Sequence, residues 1–436
     1  MISPANFARY AAMRVPRYTS YPTAPNFSPA VDQGEYRRWL RTLPSDEPVS
    51  LYLHIPFCRQ MCWYCGCHTS VTRRQAPVSR YASTLIREIG LVASELGSRL
   101  PTGHVHWGGG SPTLLTPDDV KLIHEALKEA FSLDPLAENA VEVDPRTLSP
   151  ELASAFARAR VNRASLGVQS FDAKVQAAIN RVQSFEVTAE AVRMLRERGV
   201  PAINFDLIYG LPFQTVASCL DTVEQALRLQ PDRFAVFGYA HVPSFKAHQR
   251  KIDEAALPGP AERHEQARAI ASELTAAGYR QIGLDHFALP GDSLASAAED
   301  GTLHRNFQGY TTDPCKALLG FGASAIGRVP HGFVQNATRI PDYERRIAHG
   351  RLATVRGCRI REEDERRGAI IEQLMCNYRA QVGAIDAELS GLEADGLIRR
   401  SGDFIEVVDE ARPLVRVVAG AFDQYLSSGP PHVAAV

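Results

Sequence analysis

Between Val49 and Ala277 the chain repeats one pattern six times, a short run rich in β-branched residues followed by an amphipathic helical stretch. The runs are residues 49–55, 104–107, 140–143, 164–168, 202–208 and 234–239. Helical stretches follow at 79–100, from Thr116-Pro117-Asp118-Asp119, from Ser149-Pro150-Glu151, up to Gly199, at 215–229 and at 260–277. Thr116 and Ser149, each before a proline and an acid, are N-cap signals. Six βα units with short loops predict an α/β fold with a parallel sheet and right-handed crossovers. A partial (β/α)6 TIM-type barrel is expected rather than an open doubly wound sheet. Such a barrel carries its active site at the C-terminal ends of its strands. At or just after those ends stand Cys58, Gly108 to Ser111, Glu142, Gln169, Asp206 and Ala240.

The first strand empties into four cysteines. Cys58, Cys62 and Cys65 form a C-x3-C-x2-C pattern, and Cys67 follows one glycine later. Thiolates this close suit a soft metal centre. A structural zinc site would more often pair two C-x2-C units across a longer spacer. Disulfides are disfavoured because no secretory segment precedes the cluster, and Cys219, Cys315, Cys358 and Cys376 are scattered as buried small hydrophobes would be. An iron–sulfur cluster held by three cysteines leaves one iron free to take a ligand.

Other polar residues gather on the same expected face. Gly108-Gly109-Gly110-Ser111 lets backbone approach a ligand closely. Gln169 is a neutral hydrogen-bonder, Arg181 a cation suited to a carboxylate, and Asp206 an acid inside an apolar strand that needs a partner. Residues 304–312, HRNFQGYTT, are too rich in aromatic and hydrogen-bonding groups for a plain linker.

Apolar content of 45%, charged content of 22% and a net charge of −1 fit an ordinary globular protein and argue against general nucleic-acid or membrane-surface binding. No stretch has the length of a membrane span, and a cytoplasmic monomer is expected. The expected divisions are an N-terminal arm (1–48), with one short helix at 34–43, and the barrel with its extension (49–350). A small winged-helix-like domain (351–428) should contain helices at 362–378 and 385–394, a hairpin turning at Ser-Gly and a helix at 413–426. A disordered tail (429–436) follows.

Residues 52–58, YLHIPFC, with Tyr64 inside the cysteine pattern and the added Gly66-Cys67, resemble the radical S-adenosylmethionine superfamily. Within it they resemble the oxygen-independent coproporphyrinogen III oxidase family. Residues 17–22 (RYTSYP), 106–113, 165–171, 204–212 and 304–312 extend the resemblance. It implies one 4Fe-4S cluster on Cys58, Cys62 and Cys65, and two S-adenosylmethionine molecules. The first would be held by Tyr52, Gly109, Glu142 and Ile326, the second by Tyr64, Gly110, Ser111, Gln169, Arg181, Asp206 and Ala240. Tyr52, Cys67, Glu142 and Arg305 are the implied catalytic residues. Two propionates of coproporphyrinogen III would become vinyl groups through a 5′-deoxyadenosyl radical, with electrons from a reduced flavodoxin- or ferredoxin-type donor. Residues 304–312 and the arm around Arg17 would close over the substrate. A haem-delivering relative, or a radical methylase or cyclopropanase, is the alternative; the former generally lacks the fourth cysteine and the HRNFQGYTT motif.

Overall fold

A computed structural model describes residues 2–383, 385 and 387–426. The expected tail, 429–436, lies outside the described residues. Six strands, β1 (Val49–Ile55), β2 (Pro101–Gly109), β3 (Ser132–Val143), β4 (Arg163–Gln169), β5 (Ala202–Tyr209) and β6 (Arg233–Gly238), pair in parallel and in chain order. Beyond β1 the sheet gains Ala317–Phe321 in parallel, then Ile326–Val329, Gly332–Asn336 and Thr354–Arg359 as an antiparallel meander. Beyond β6 it gains His286–Ala288 and Arg280–Ile282. Its two outer strands are Thr354–Arg359 and Arg280–Ile282, and no pairing joins them among the described residues. The curve is therefore the expected partial barrel, lengthened at both edges.

The expected caps form. Thr116 and Asp119 close a capping box, and the Ser149 hydroxyl accepts from the Leu152 amide. The stretch ending near Gly199 is two helices, Ala173–Ala178 and Phe185–Glu197, because Ser184 caps a new start and Asn180 turns left-handed at φ 54°. That break sets Arg181 in a bend rather than on a helix face. Strand β1 is buried on both faces, and Trp107, Phe205, Phe234 and Phe321 fill the surrounding core.

The arm is more structured than its composition suggests. Besides Gln33–Leu40, it forms a helix at Pro4–Ala11, capped by Ser3 with proline at the first helical position. Tyr10, Val15, Tyr18 and Tyr21 are buried in one apolar cluster with Ile371, Leu374, Ile405, Leu414 and Val418. Asp395 accepts from Asn6 at 3.0 Å and Tyr10 at 2.7 Å, and pairs with Arg9 at 2.5 Å. The C-terminal region contains a helix at Glu362–Asn377 and a three-stranded sheet of Arg379–Gln381, Ile398–Ser401 and Phe404–Val407. The helix expected at 385–394 shrinks to Ser390–Ala394. The hairpin turns at Gly402-Asp403, one residue beyond Ser-Gly, where glycine takes φ 58°. The last helix starts as a tight turn, Asp409–Leu414, and becomes α-helical only at Val415–Gly420, since Pro413 has no N–H to give.

One buried acid ties the outer helix layer to the sheet. Glu88, on the helix Ala76–Glu95, accepts from the Gly322 amide (2.6 Å), Asn336 Nδ2 (2.7 Å) and the Tyr343 hydroxyl (2.8 Å). Burial pushes it up to about 7 against the pull of those donors. Replacing Glu88 with Ala strands three buried donors and is expected to cost about 3 kcal/mol or more. Equilibrium denaturation measures this, and an unchanged midpoint would contradict it.

Candidate active site

The cysteine loop is closed at its base by a short parallel pairing of Phe57–Cys58 with Ser70–Val71. Strands β4 and β6 then hold its rim. The Trp63 amide donates to the Ile179 carbonyl at 2.9 Å and Asn180 Nδ2 to Met61 at 2.8 Å, both from the bend after β4. From beyond β6, Gln249 Nε2 donates to the Tyr64 carbonyl (3.0 Å), His248 Nε2 to Cys65 (2.7 Å) and Lys246 to Cys67 (3.1 Å). The loop is pinned through its backbone, which leaves its sulfurs to other partners.

Those sulfurs lie among donors and cations. Thr69 donates to Cys58 Sγ at 3.2 Å, and the Cys67 amide to Cys65 Sγ at 3.4 Å. Arg181 Nη1 and Arg146 Nη2 lie 3.6 and 3.9 Å from Cys62 Sγ. The Cys67 side chain, with help from Lys246 and Arg181 and against burial, brings Cys65 down to about 7. Burial instead pushes Cys58 up to about 12. Among the described residues, no three His, Cys, Asp or Glu side chains converge on one ion. Three cysteines spread round a loop, with guanidiniums behind them, fit a multi-iron cluster that shares its thiolates among its irons.

Beside the loop, Tyr52 on β1 stacks against His106 on β2, with ring centroids 5.8 Å apart. Its hydroxyl lies 2.9 Å from His54 Nδ1, while His54 Nε2 lies 3.0 Å from the His68 carbonyl. A carbonyl only accepts, so Nε2 carries the proton and Nδ1 accepts from Tyr52. Burial, which lowers the His54 pKa, favours that neutral ring. Glu142 accepts from the Gly109 amide at 3.1 Å and pairs with His106 at 3.2 Å. The glycines are required by this packing: a Cβ on Gly108 would lie 2.6 Å from Glu142 Oε1, and one on Gly110 would strike Thr69 and lie 2.7 Å from the Phe57 carbonyl.

Further round the mouth, Gln169 is left-handed (φ 68°), and its Oε1 is buried without a partner among the described residues. The buried Arg181 donates to the Gly167 carbonyl at 2.7 Å and lies 3.6 Å from Asp144, while its Nε has no hydrogen-bond partner among the described residues. Asp206 is three residues inside β5, not at the expected strand end. It accepts from Ser165 (3.1 Å) and Asn204 (2.9 Å). Burial, reinforced by the Glu142 charge, pushes Asp206 up to about 7. Tyr64 packs beside Ile179 and Tyr239, and the Ala240 carbonyl accepts from Gln249 at 3.2 Å. Ile326 sits across Gly320 from Tyr52. The Ser111 hydroxyl instead joins an internal chain with Thr113 and Thr147.

Arg305 stands apart, on a hairpin of His304–Asn306 and Gly309–Thr311, with its guanidinium 4.4 Å from the Tyr310 ring centroid. Sequence reasoning missed Arg146, which pairs with Asp144 at 2.7 Å, and His106. It also missed Gln249, a buried glutamine in the short 3₁₀ turn Ala247–Lys251 with no pattern to mark it. His54 carried a signal, a histidine inside an otherwise apolar strand.

Residues 52–226 match the Radical SAM superfamily. Together with the partial barrel and its cysteine loop, this defines an oxidoreductase that works with a 4Fe-4S cluster and S-adenosylmethionine. The oxygen-independent coproporphyrinogen III oxidase of Bradyrhizobium diazoefficiens is 55% identical, over 96% of each chain, and that of Pseudomonas aeruginosa 40% identical, over 97% of this chain and 96% of the other. The solved coproporphyrinogen III oxidase from Escherichia coli, described as a radical SAM enzyme, superposes with a TM-score of 0.89 at 36% identity. The match covers 95% of this chain and all of that one. The chain belongs to the oxygen-independent coproporphyrinogen III oxidase family. No helix among the described residues is long and apolar enough to cross a membrane.

Asp206 gives the unliganded protein a signed pH dependence. Its folded pKa, about 7, exceeds the value of about 4 usual for an unfolded aspartate, so folding takes up a proton between the two. The stability it contributes is complete below about pH 4 and is lost as pH rises through about 7. Asp206→Asn should therefore lose less melting temperature than wild type between about pH 5.5 and 8. Parallel curves would contradict this.

Proposed function

We propose that this chain oxidatively decarboxylates two propionate side chains of coproporphyrinogen III to vinyl groups without oxygen, giving protoporphyrinogen IX. The observation that carries this is the 55% identity over 96% of both chains to a relative named for that activity. The intact four-cysteine loop and the 304–312 hairpin favour it over the haem-delivery and methylase readings. When bound, the cluster and S-adenosylmethionine supply the one-electron chemistry that removes hydrogen from the propionate. The protein's residues bind, orient and keep water out.

Cys58, Cys62 and Cys65 hold the cluster. Tyr52, Gly109, Glu142 and Ile326 hold one S-adenosylmethionine, with His54 fixing the Tyr52 hydroxyl and His106 fixing Glu142. Tyr64, Gly110, Ser111, Gln169, Arg181, Asp206 and Ala240 hold a second. The unpartnered Gln169 Oε1 and Arg181 Nε support a further polar ligand there. The Ser111 hydroxyl, already engaged, is the weakest member of that set. Cys67, exposed at the loop rim with its amide on Cys65 Sγ, stands outside the ligand set. Free thiols at all eight cysteines support a reducing compartment, the cytoplasm. Exposed Arg74 and Lys251 and the half-buried Lys246, around the cysteine loop, suit an acidic flavodoxin- or ferredoxin-type donor.

Anaerobic turnover of the reconstituted enzyme with coproporphyrinogen III, S-adenosylmethionine, a one-electron reductant and an acceptor for the electron each substrate radical gives up on losing carbon dioxide should yield protoporphyrinogen IX, carbon dioxide, methionine and 5′-deoxyadenosine; a different porphyrinogen product, or none, would end this reading. In the same preparations, Cys58→Ser, Cys62→Ser and Cys65→Ser should lose stable iron and sulfide, while Cys67→Ser keeps both and loses turnover. Normal iron in Cys62→Ser would overturn the ligand set. Equilibrium binding should find two S-adenosylmethionines per chain, falling toward one in Asp206→Ala.

A further inference from the structure

The turn that follows β3 aims a cation at the cysteine loop. Asp144-Pro145-Arg146-Thr147 is shaped by its own residue types: proline fixes the direction of the chain, and the aspartate binds the backbone two residues on, its Oδ1 accepting from the Arg146 amide at 3.1 Å. The Thr147 amide closes the turn on the Asp144 carbonyl at 3.0 Å. The same carboxylate then takes the Arg146 side chain in two prongs, Nε on Oδ1 at 2.9 Å and Nη2 on Oδ2 at 2.7 Å. A guanidinium gripped at two points is fixed in orientation. Nη2 carries two hydrogens, and with one on Asp144 the other is available to Cys62 Sγ, 3.9 Å away.

Each sulfur of the expected ligand set has a donor of its own. Cys58 Sγ accepts from the Thr69 hydroxyl at 3.2 Å and Cys65 Sγ from the Cys67 amide at 3.4 Å, both of them neutral donors. Cys62, the buried one of the three, faces charge instead, with Arg181 Nη1 at 3.6 Å and Arg146 Nη2 at 3.9 Å. Arg181 has other duties, on the Gly167 carbonyl at 2.7 Å and in the expected second cofactor site. The Arg146 side chain bonds Asp144 and Cys62 and nothing else among the described residues. Asp144 also lies 3.6 Å from Arg181, so two cations share one carboxylate and a net positive charge remains behind Cys62. The Arg146 side chain is only 19% exposed, which limits how far solvent and salt screen that charge.

We propose that Arg146, aimed by Asp144, sets the reduction potential of the cluster through Cys62. This rests on the reading above that Cys58, Cys62 and Cys65 hold that cluster. Potentials of such centres follow their net charge, the hydrogen bonds to their sulfurs and their exposure. In the step concerned one electron leaves a reduced one-electron donor, which is thereby oxidised, and enters the cluster, which gains one negative charge; no bond forms or breaks. A fixed cation beside a ligating sulfur stabilises the more negative form, so a donor of modest strength can fill it. A neutral side chain in its place lowers the potential. The hydroxyl on Cys58 and the amide on Cys65 act in the same direction but more weakly, because they are uncharged.

The test is a redox titration of the reconstituted enzyme, followed by the electron paramagnetic resonance signal of the reduced cluster, with iron and sulfide measured in the same samples. Arg146→Gln should keep its iron and show a lower midpoint potential. At a fixed poise its ratio of reduced to oxidised cluster should fall about tenfold, which is about 59 mV for a one-electron couple. Arg146→Lys, which keeps the charge but not the fork on Asp144, should lie between Arg146→Gln and wild type. With reduced flavodoxin as donor, 5′-deoxyadenosine release by Arg146→Gln should drop by a similar factor, and photoreduced deazaflavin, a stronger reductant, should restore it. An unchanged potential in Arg146→Gln with normal iron overturns the proposal, since a merely structural role lowers cluster content and leaves the potential of the remaining clusters where it was. Should Arg146→Gln lose its cluster, Arg146→Lys is read alone, and a wild-type potential in it overturns the proposal equally. Cys62→Ser separates the two failures: normal iron there removes the ligand reading, while loss of iron there with an unshifted Arg146→Gln potential removes only the role of Arg146.

Discussion

A guanidinium buried against a thiol holds the centre of this structure together. Arg181 reaches from the bend between two helices to Cys62 Sγ, the Gly167 carbonyl and Asp144. Burial works against its charge, and Tyr64, Asp144 and Cys62 more than offset it. Such a cation is stable only while its partners stay in place. It therefore couples the cysteine loop after β1 to the ends of β3 and β4. Asn180, one residue earlier, binds the loop backbone, so the same bend fixes both the loop's path and its electrostatics. A loop between a strand and a helix would ordinarily be mobile. Here it is anchored from β4 and β6, as a site for an oxygen-sensitive cluster requires.

The barrel and its order of strands were legible because β-branched runs and capped helices alternate with little noise. Thr116 and Ser149 announced their helices through local chemistry that tertiary packing does not change. The sheet's extension was less legible, since Ile326–Val329 and Gly332–Asn336 are short and glycine-bearing, and their pairing depends on neighbours distant in sequence. The helix Pro4–Ala11 was missed for a related reason: alone it is marginal, and it is held by Asp395, far along the chain. Asp206 was identified as an acid needing partners, and Ser165 and Asn204 are those partners. What sequence could not reveal was that Ser111 would turn its hydroxyl inward to Thr113, a choice made by packing.

The glycine run after β2 shows how ligand binding and packing impose the same residue. Bare backbone there looked like an invitation to a ligand. In the structure Gly108 makes room for Glu142 and Gly110 for the cysteine loop. Both demands hold, because Glu142 could not bond the Gly109 amide from any greater distance. Glycine at these positions thus brings the acid and the loop together before any cofactor arrives.

A net charge of −1 means that the protein as a whole does not attract a polyanion. Attraction must come from where cations are placed, and the structure separates two such places. Arg146 and Arg181 lie behind the cysteine sulfurs, 3.9 and 3.6 Å from Cys62 Sγ. Arg17, Arg263, Arg305 and Arg416 lie farther out, in reach of Asp285 and Tyr209. The inner pair is supplied by the barrel alone. The outer set needs the arm, the hairpin and the C-terminal domain folded against one another, and the apolar cluster around Tyr10, Tyr18 and Leu414 provides that. Six βα units leave a barrel open at the side. The arm, the hairpin and the C-terminal domain carry Arg17, Arg305 and Arg416, which the six βα units themselves do not supply.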